Sequence, residues 1–590
     1  MTVPSIFRSW KSKIFDEEIC HAPEVYTDAE LQRLKNAGHT GIWVAGILRE
    51  LSCSMIFPEF NRKKNTFRQK ALNHLVQRAR KHGLDVFVYL VEPRNLNITD
   101  SFWKKYPELR GTRGTAAVVE YEYGYAMCTS DKRVLDFLED ATANLFRMVP
   151  GLKGLILVTA SEHLHHCLSF ATPVWPHLYQ KQYPDLCPRC RDRKAVEIVS
   201  EIINAIVRGA FSVNKEAQLI ASAWGWTWYE EVPHAELIDA LDPRVAIETF
   251  LEKGGVKRYP DQGKITINEY ALSYSGPSPY VRKLAAYLAR KRRKLYLKLV
   301  LGTTHELITI PCLPVPTRVY EKVSRAARLK PYGYLSFTFG TMPCINLRVF
   351  EKFIALKRQP QNKKEFLRMV AEEYFPGGQF EKLYQAWRYF LSALDLYPFS
   401  NKLMYYGPVS FALAYCQYPG PVKGSPMRPT WLPFFRHGDD LSSVCTDFPE
   451  KTIIKRFEEM ARRWNRGLVY YRQALATVCP QRKNRELAIA EIIPLIFLSV
   501  ANIFRIHLLK KNWNRRCLDT FFQILREEWK VCQQALPLLK MNPLLGYHIE
   551  AGQHLFSEKL VRQKMRHIEN LLPDKRQVQP PFPAGGKTHR

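Results

Sequence analysis

The amino-acid sequence predicts an α/β protein in which a (β/α)8 barrel precedes an all-α C-terminal domain. Within residues 1–345, near-continuous apolar runs alternate with segments whose apolar residues recur about every 3.6 positions. Such alternation is typical of parallel strands that helices cover on their outer face, and eight units close a barrel. After residue 345 the strand-like runs give way to long helical segments. A doubly wound sheet is the alternative, but no glycine-rich phosphate loop follows the first predicted strand.

The predicted barrel elements follow one another from residue 27 onwards. A helix opens at a capping box from Thr27 to Glu30, in which each side chain can bind the other's backbone N–H. The strand candidates are residues 41–48, 84–93, 126–130, 154–163, 218–226, 244–250, 264–272, 294–301 and 333–340. These are nine candidates for eight places in the barrel. We expect residues 264–272 to form a hairpin or an insertion outside it.

The C-terminal part, residues 346–575, is predicted to form a helical domain. Helical periodicity covers residues 366–374, 380–394, 453–477, 486–509 and 517–538. The apolar run at residues 492–504 is too short to cross a bilayer, so we expect a buried helix there. Residues 576–590 have the composition of a disordered tail.

The chain is strongly basic, with 87 Lys and Arg against 56 Asp and Glu and a formal charge of +31 over 590 residues. Such a balance favours contact with polyanions, but it bears on nonspecific association and not on chemistry. The N-terminal residues lack the pattern of a secretory signal. We therefore expect a cytoplasmic protein with no membrane partner, whose 13 cysteines are reduced. Homo-oligomerisation stays open.

Carboxylates at the ends of the predicted strands point to acid/base chemistry, because catalytic residues gather at the C-terminal ends of barrel strands. Glu162 follows an apolar strand, and burial there would raise the pKa of its carboxyl, as a general acid requires. Glu306, on a polar loop directly after residues 294–301, is the predicted second carboxylate, with Glu248 and Glu269 as alternatives. Two such carboxyl groups can cleave a glycosidic bond, one as acid and the other as nucleophile or base.

Other polar and aromatic residues of the predicted strands and the loops after them are expected to bind substrate. Aromatic faces stack on the apolar face of a sugar ring and leave its hydroxyls to polar partners. The expected set is Trp43, Arg49, Glu92, His163, Trp224, Trp226, Glu248, Glu269, Tyr270 and His305. Any single acid among them could instead form a structural ion pair. The hypothesis therefore depends on the cluster as a whole.

A second chemistry is suggested by the C-x-x-C pair Cys187 and Cys190, with Cys167 and several histidines upstream. Cysteine thiolates combined with imidazole suit tetrahedral zinc. The expected ligands are Cys167, Cys187, Cys190 and one histidine, and a closed set of four would be structural. Two free thiols in a loop are the alternative. We expect no cofactor for catalysis itself.

Several segments resemble a group of bacterial barrel proteins related to β-hexosaminidase-like and α-glucuronidase-like glycoside hydrolases. They are YLVEPR at residues 89–94, TASEHLHHC at 159–167, CPRCRDR at 187–193, WGW at 224–226, THELITIPCLPVP at 304–316, FGTMPCIN at 339–346, YYGP at 405–408 and YHIEAGQH at 547–554. The resemblance implies a glycoside hydrolase acting on an oligosaccharide or glycoconjugate that contains an amino sugar or a uronic acid.

The resemblance also implies roles for two residues. The family's acid/base stands at the end of the fourth strand, which corresponds to Glu162, and a carboxylate from the seventh strand corresponds to Glu306. Classical hexosaminidases have an aspartate directly before the acid to assist the acetamido group, whereas this chain has Ser161. That departure argues against substrate-assisted cleavage of N-acetyl sugars. Two other functions stay open: a non-catalytic carbohydrate-binding protein on a degenerate barrel, and a basic nucleic-acid-associated protein, which the sequence favours less.

Overall fold

The computed structural model describes residues 3–12, 17–115, 123–161, 163–169, 186–356, 362–422 and 440–573. Glu162 and the predicted tail at residues 576–590 lie outside the described residues.

Eight parallel strands form a closed barrel, which confirms the predicted fold class. The strands are β1 Ser5–Phe7, β2 Gly41–Gly46, β3 Asp85–Val91, β4 Gly154–Val158, β5 Gln218–Ser222, β6 Ala246–Phe250, β7 Leu295–Leu299 and β8 Gly333–Ser336. They pair in chain order, and β1 closes the barrel by pairing with both β2 and β8.

Two of the nine strand candidates are insertions, and one barrel strand was missed. The hairpin of Gly255–Tyr259 and Gly263–Ile267 contains the start of the candidate at residues 264–272, as expected. Residues 126–130 overlap Tyr123–Met127, which pairs antiparallel with Leu96–Asn97 and Arg110–Thr115 in a small separate sheet. The missed strand, Ser5–Phe7, is only three residues long and therefore too short to show a periodicity.

Helices follow the strands and cover the barrel, and further helices form the C-terminal domain. Around the barrel lie Glu18–Val25, Asp28–Asn36, Leu48–Leu51, Lys63–Lys81, Phe102–Lys105, Lys132–Met148, Ala195–Val213, Ala235–Ala240, Pro279–Arg290, Pro316–Ala327 and Ile345–Ala355. The C-terminal domain contains Lys363–Tyr374, Phe380–Leu394, Asn401–Tyr406, Glu450–Ala474, Pro480–Lys511, Cys517–Met541 and Glu558–Leu571. At the predicted capping box, Thr27 accepts the N–H of Glu30 at 3.3 Å, but the Glu30 carboxylate binds Arg33 instead.

The apolar run at residues 492–504 is part of the 32-residue helix Pro480–Lys511. By length and composition alone this helix could cross a membrane. However, 83% of its most apolar window is buried inside the protein, where it packs against the helices before and after it in the chain. The expectation of a buried helix is confirmed, although the helix is longer than the apolar run.

Side chains alternate between the barrel interior and the outer helical layer along each strand. Trp43, Tyr89, Ala246 and Tyr296 are among the buried side chains of the interior. Alternation places Glu248 on β6 and Lys298 on β7 in the same interior, two residues beyond Ala246 and Tyr296 and therefore nearer the C-terminal mouth. Glu248 and Lys298 therefore lie inside the barrel, between its apolar interior and its C-terminal mouth.

The helical domain packs on the barrel through a continuous apolar core and through defined hydrogen bonds. The buried Tyr259, on the hairpin after β6, donates its hydroxyl to the carbonyl of Tyr397 at 2.6 Å and accepts the N–H of Phe399 at 3.1 Å. The N–H of Gly546 donates to the carbonyl of Thr309 on the loop after β7. Residues near 405 and 550 are thereby brought to the barrel mouth.

Candidate active site at the mouth of the barrel

Glu248 and Lys298 form an ion pair inside the barrel. The Lys298 Nζ lies 3.3 Å from Oε2 of Glu248, and both side chains are at most 3% exposed. Among the described residues, neither oxygen of Glu248 accepts a hydrogen bond. Glu248 is therefore a buried carboxyl group that contacts one lysine and whose oxygens face the barrel interior.

Two tyrosines and a second lysine surround this pair. The Nζ of Lys298 lies 5.8 Å from the ring centroid of Tyr89 and 5.9 Å from that of Tyr270. Burial, reinforced by the charge of Glu248, raises the pKa of Tyr270 well above its usual range, so its hydroxyl keeps its proton. Burial lowers the pKa of Lys253 to about 8, opposed by the charges of Glu269 and Glu248. Among the described residues Lys253 forms no ion pair, and its ammonium donates to the carbonyl of Trp224.

His305 links the barrel loops to the helical domain. Its Nδ1 lies 3.6 Å from Glu269 and its Nε2 lies 3.9 Å from Glu550, which belongs to the C-terminal domain. Burial lowers the pKa of His305 to about 3, so the imidazole is neutral near pH 7. The ring of Tyr405, also from that domain, lies 5.4 Å from the ring of His305. The site is therefore built by both domains.

Glu306, the predicted second carboxylate, binds the protein's own backbone. It accepts the N–H of Leu272 at 2.7 Å, the N–H of Ser273 at 3.1 Å and the hydroxyl of Thr304 at 3.1 Å. Lys322 also holds this stretch, donating to the carbonyls of Ala271 and Tyr274. The loop that carries Glu269 and Tyr270 is thus fixed by Glu306 from one side and by Lys322 from the other.

Polar residues at the ends of β3 and β4 form the opposite side of the mouth. Glu92 accepts the N–H groups of Leu48 and Arg94, and burial raises the pKa of its carboxyl despite the nearby charge of Arg49. Arg94 lies 3.2 Å from Nδ1 of His163. Arg49 donates to the carbonyl of Arg94. His163 directly follows Glu162, the predicted general acid, which is outside the described residues.

The predicted tryptophans occupy three different environments. Trp43 is buried in the barrel interior, stacked on Tyr89 with ring centroids 4.8 Å apart. Trp224 is half-buried beside Lys253 at the mouth. Trp226 is fully buried in the outer core, edge-on to His234 at 5.8 Å. Of the three, only Trp224 has an indole ring that is both partly exposed and close to Lys253.

Four cysteine sulphurs converge beside the loop after β4, and the fourth comes from Cys128 rather than from a histidine. The Sγ atoms of Cys128, Cys167, Cys187 and Cys190 all lie within 4.8 Å of one another. The histidines near Cys167 have other partners: His165 binds Ser161, and His166 accepts the N–H of Leu168. Cys128 precedes Cys187 by 59 positions, so sequence spacing alone does not relate the two.

Several site residues were not singled out from the sequence. Lys298 carried a signal, because a single cation within the apolar strand LYLKL must lie either inside the barrel or against its helices. Lys253 lies just beyond the end of β6, where barrel function gathers. Glu550 and Tyr405 fall within YHIEAGQH and YYGP, two segments of the family resemblance, but only the packing of the helical domain brings them to the mouth.

No family model matches the chain, and no curated protein matches its sequence. Among solved structures, a family 89 glycoside hydrolase from Clostridium perfringens, in complex with PUGNAc, aligns with a TM-score of 0.52 and 10% identity over 99% of this chain and 65% of that one. A GH138 enzyme targeting pectin rhamnogalacturonan II aligns with a TM-score of 0.51 and 11% identity over 92% of this chain and 62% of that one. The chain spans less than two thirds of either structure. At these identities the likeness shows the fold, a barrel of the kind that glycoside hydrolases use.

Proposed function

We propose that this protein is a glycoside hydrolase whose two carboxyl groups are Glu162 and Glu248. The observation that carries the proposal is the buried pair of Glu248 and Lys298 at the C-terminal mouth of the barrel. Catalytic groups of this fold belong to that end of the strands. The rings of Tyr89 and Tyr270 lie beside Lys298 and the ring of Trp224 lies beside Lys253, and aromatic rings are the side chains on which sugar rings stack.

Glu248 takes the role of nucleophile or base in preference to Glu306. The Glu306 carboxylate is occupied by three donors of its own chain, so attack on a substrate would break those bonds. The Glu248 carboxylate contacts Lys298, and among the described residues no hydrogen bond competes for its lone pairs. The second residue of a glycosidase must supply a carboxylate whose lone pairs can attack the sugar or activate a water molecule.

Glu162 keeps the role of acid/base on sequence grounds. It follows β4 by four residues and directly precedes His163, which lies at the mouth beside Arg94. The family resemblance assigns the proton donor to the same position. Glu269, next to His305, contacts the substrate in this scheme and orients it.

The substrate class that suits the site is a glycan with an acidic sugar. Lys298 is neutralised by Glu248, whereas among the described residues Lys253 has no carboxylate in ion-pair contact. Glu269 and Glu248 act on this buried ammonium only from beyond ion-pair distance, so an anionic ligand can pair with it directly. A uronic acid has such a negative charge, so in this proposal the carboxylate of the sugar binds at Lys253 beside Trp224.

The test is turnover by purified protein on a panel of neutral, amino-sugar and uronic-acid glycosides, with pectic oligosaccharides included. We expect cleavage of a uronide, and we expect Glu162→Gln and Glu248→Gln each to lower the rate by about 100-fold or more. Glu24→Gln, an exposed residue on the barrel's outer surface, is the matched control and should keep full activity.

Three results would contradict parts of the proposal. Full activity of Glu248→Gln together with loss in Glu269→Gln would move the second carboxylate to Glu269. Full activity of Glu162→Gln would remove the acid. Binding of oligosaccharides without turnover across the panel would make the protein a non-catalytic carbohydrate-binding barrel.

A further inference from the structure

The four clustered cysteines come from three separate stretches of the chain. Cys128 directly follows the inserted strand Tyr123–Met127, Cys167 lies on the loop after β4, and Cys187 and Cys190 precede the helix Ala195–Val213. All four are buried. Neither the fold nor the proposed acid/base chemistry uses them, so their convergence calls for a separate cause.

The distances between the sulphurs suit a shared metal ion and not a disulfide. Cys128 Sγ lies 3.6 Å from Cys187 Sγ and 3.5 Å from Cys190 Sγ. A disulfide would need about 2.0 Å. A tetrahedral zinc ion with Zn–S bonds of about 2.3 Å places its four sulphurs about 3.8 Å apart. The observed spacing is close to that value.

The backbone and the charges around the sulphurs also fit thiolate ligands. In the turn from Cys187 to Cys190, the N–H groups of Cys190 and Arg191 both donate to the Cys187 carbonyl at 3.0 Å. The side chains of Arg189 and Arg193 place positive charge beside the cluster. A zinc ion with four thiolates carries a net charge of about −2, which such cations stabilise.

Close packing against Gly111 and a hydrogen bond from Thr112 hold Cys167 in position. A Cβ added at Gly111 would lie 2.5 Å from the Cys167 sulphur and 2.8 Å from the carbonyl oxygen of Ala126. Thr112, next to it, donates to the Cys167 carbonyl and accepts the N–H of Cys187. The inserted sheet thus holds two of the ligand segments in register.

We propose that Cys128, Cys167, Cys187 and Cys190 bind one structural zinc ion. Four thiolates complete a tetrahedral site and leave no position for a substrate or a water molecule. The ion joins the small inserted sheet to the loop after β4 and to the start of the helix Ala195–Val213. Its role is to hold the side of the barrel mouth that begins at β4.

Metal analysis of the full-length protein, purified without chelator, tests the site independently of any enzymatic activity. We expect close to one zinc per chain, and background levels in Cys128→Ala and Cys190→Ala. Cys532→Ala is the matched control, because Cys532 is equally buried but lies in the helical domain, where its sulphur faces the Leu413 carbonyl. It should keep the zinc.

Cobalt exchange keeps the test valid if the variants fail to fold. Wild-type protein stripped of metal and given Co²⁺ should show the visible absorption of tetrahedral cobalt with thiolate ligands, and its thermal unfolding midpoint should rise on adding Zn²⁺. Gly111→Ala retains all four thiols but crowds Cys167, and we expect weaker zinc retention. Absence of zinc together with absence of the cobalt spectrum would overturn the proposal, as would disulfides among these four cysteines by mass spectrometry.

Discussion

Lys253 shows how burial tunes a single charged residue at the barrel mouth. Its pKa is lowered to about 8 by desolvation, with Glu269 and Glu248 opposing the shift. The ammonium therefore loses its charge as the pH rises through 8. Because the pKa is lower in the folded state, the unfolded chain binds more protons between about pH 8 and 10.5, and the contribution of this group to stability increases with pH in that window.

We expect the affinity for a uronic-acid oligosaccharide to fall as the pH rises through about 8, while that for a neutral analogue changes little. Calorimetric titration on either side of this pH measures both. In Lys253→Met the difference between the two ligands should vanish. His305, with a pKa of about 3, does not titrate in this range. A persistent pH dependence in Lys253→Met would show that another group binds the acid.

Glu306 has a carboxylate that binds groups of its own chain. Since its carboxylate binds two backbone N–H groups and a hydroxyl while buried, we expect Glu306→Ala to lower the free energy of unfolding by roughly 3 kcal/mol. Urea unfolding measures the change. Glu24→Ala, whose side chain is 80% exposed, should stay within about 0.5 kcal/mol of the wild type. Equal stability of the two variants would contradict the anchoring role.

The loop after β5 packs closely against the segment that follows β4. A Cβ at Gly225 would lie 2.5 Å from the Ala160 carbonyl oxygen and 2.8 Å from the ring of Trp228. Ala160 stands two residues before Glu162. A substitution at Gly225 therefore forces one of the two loops away from the barrel mouth.

We expect Gly225→Ala to lower kcat/KM on a cleaved glycoside about tenfold, because small displacements of catalytic groups are costly. Gly302→Ala is the matched control on the loop after β7: its nearest neighbours would lie 3.5 and 3.6 Å away, in ordinary contact. Unaltered kinetics of Gly225→Ala would mean that the loops adjust without moving the site.

At the scale of the whole molecule, the barrel and the helical domain share one apolar core and one site. Tyr259 binds two backbone groups of the helical domain, and Glu550 and Tyr405 reach His305. Interfaces that are large and apolar couple the unfolding of neighbouring domains.

We expect the full chain to unfold in a single thermal transition, seen at the same midpoint by circular dichroism and by tryptophan fluorescence. Tyr259→Phe should lower that midpoint without splitting the transition, since it leaves a buried carbonyl and a buried N–H without their hydroxyl partner. Two separate transitions would show that the domains are energetically independent.

Much of the fold could be predicted because strands and helices each leave a local period in the sequence. The alternation of apolar strands and amphipathic helices predicted seven of the eight barrel strands, and the hairpin at residues 264–272 was recognised as an insertion. Ser5–Phe7 was missed because three residues contain no period. The strand at residues 126–130 was misplaced because an inserted strand and a barrel strand have the same local pattern.

The sequence by itself placed Glu248 at the end of one predicted barrel strand and His305 just after another, whereas Glu269 falls in residues 264–272, which it predicted to lie outside the barrel. Tertiary structure decided which groups these side chains contact. It turned Glu306 towards the backbone of residues 272 and 273, paired Glu248 with Lys298, and brought Glu550 to His305. It also supplied Cys128 as the fourth sulphur. The physical reason is that strand and helix periods are local, whereas ion pairs and ligand sets join residues far apart in the chain.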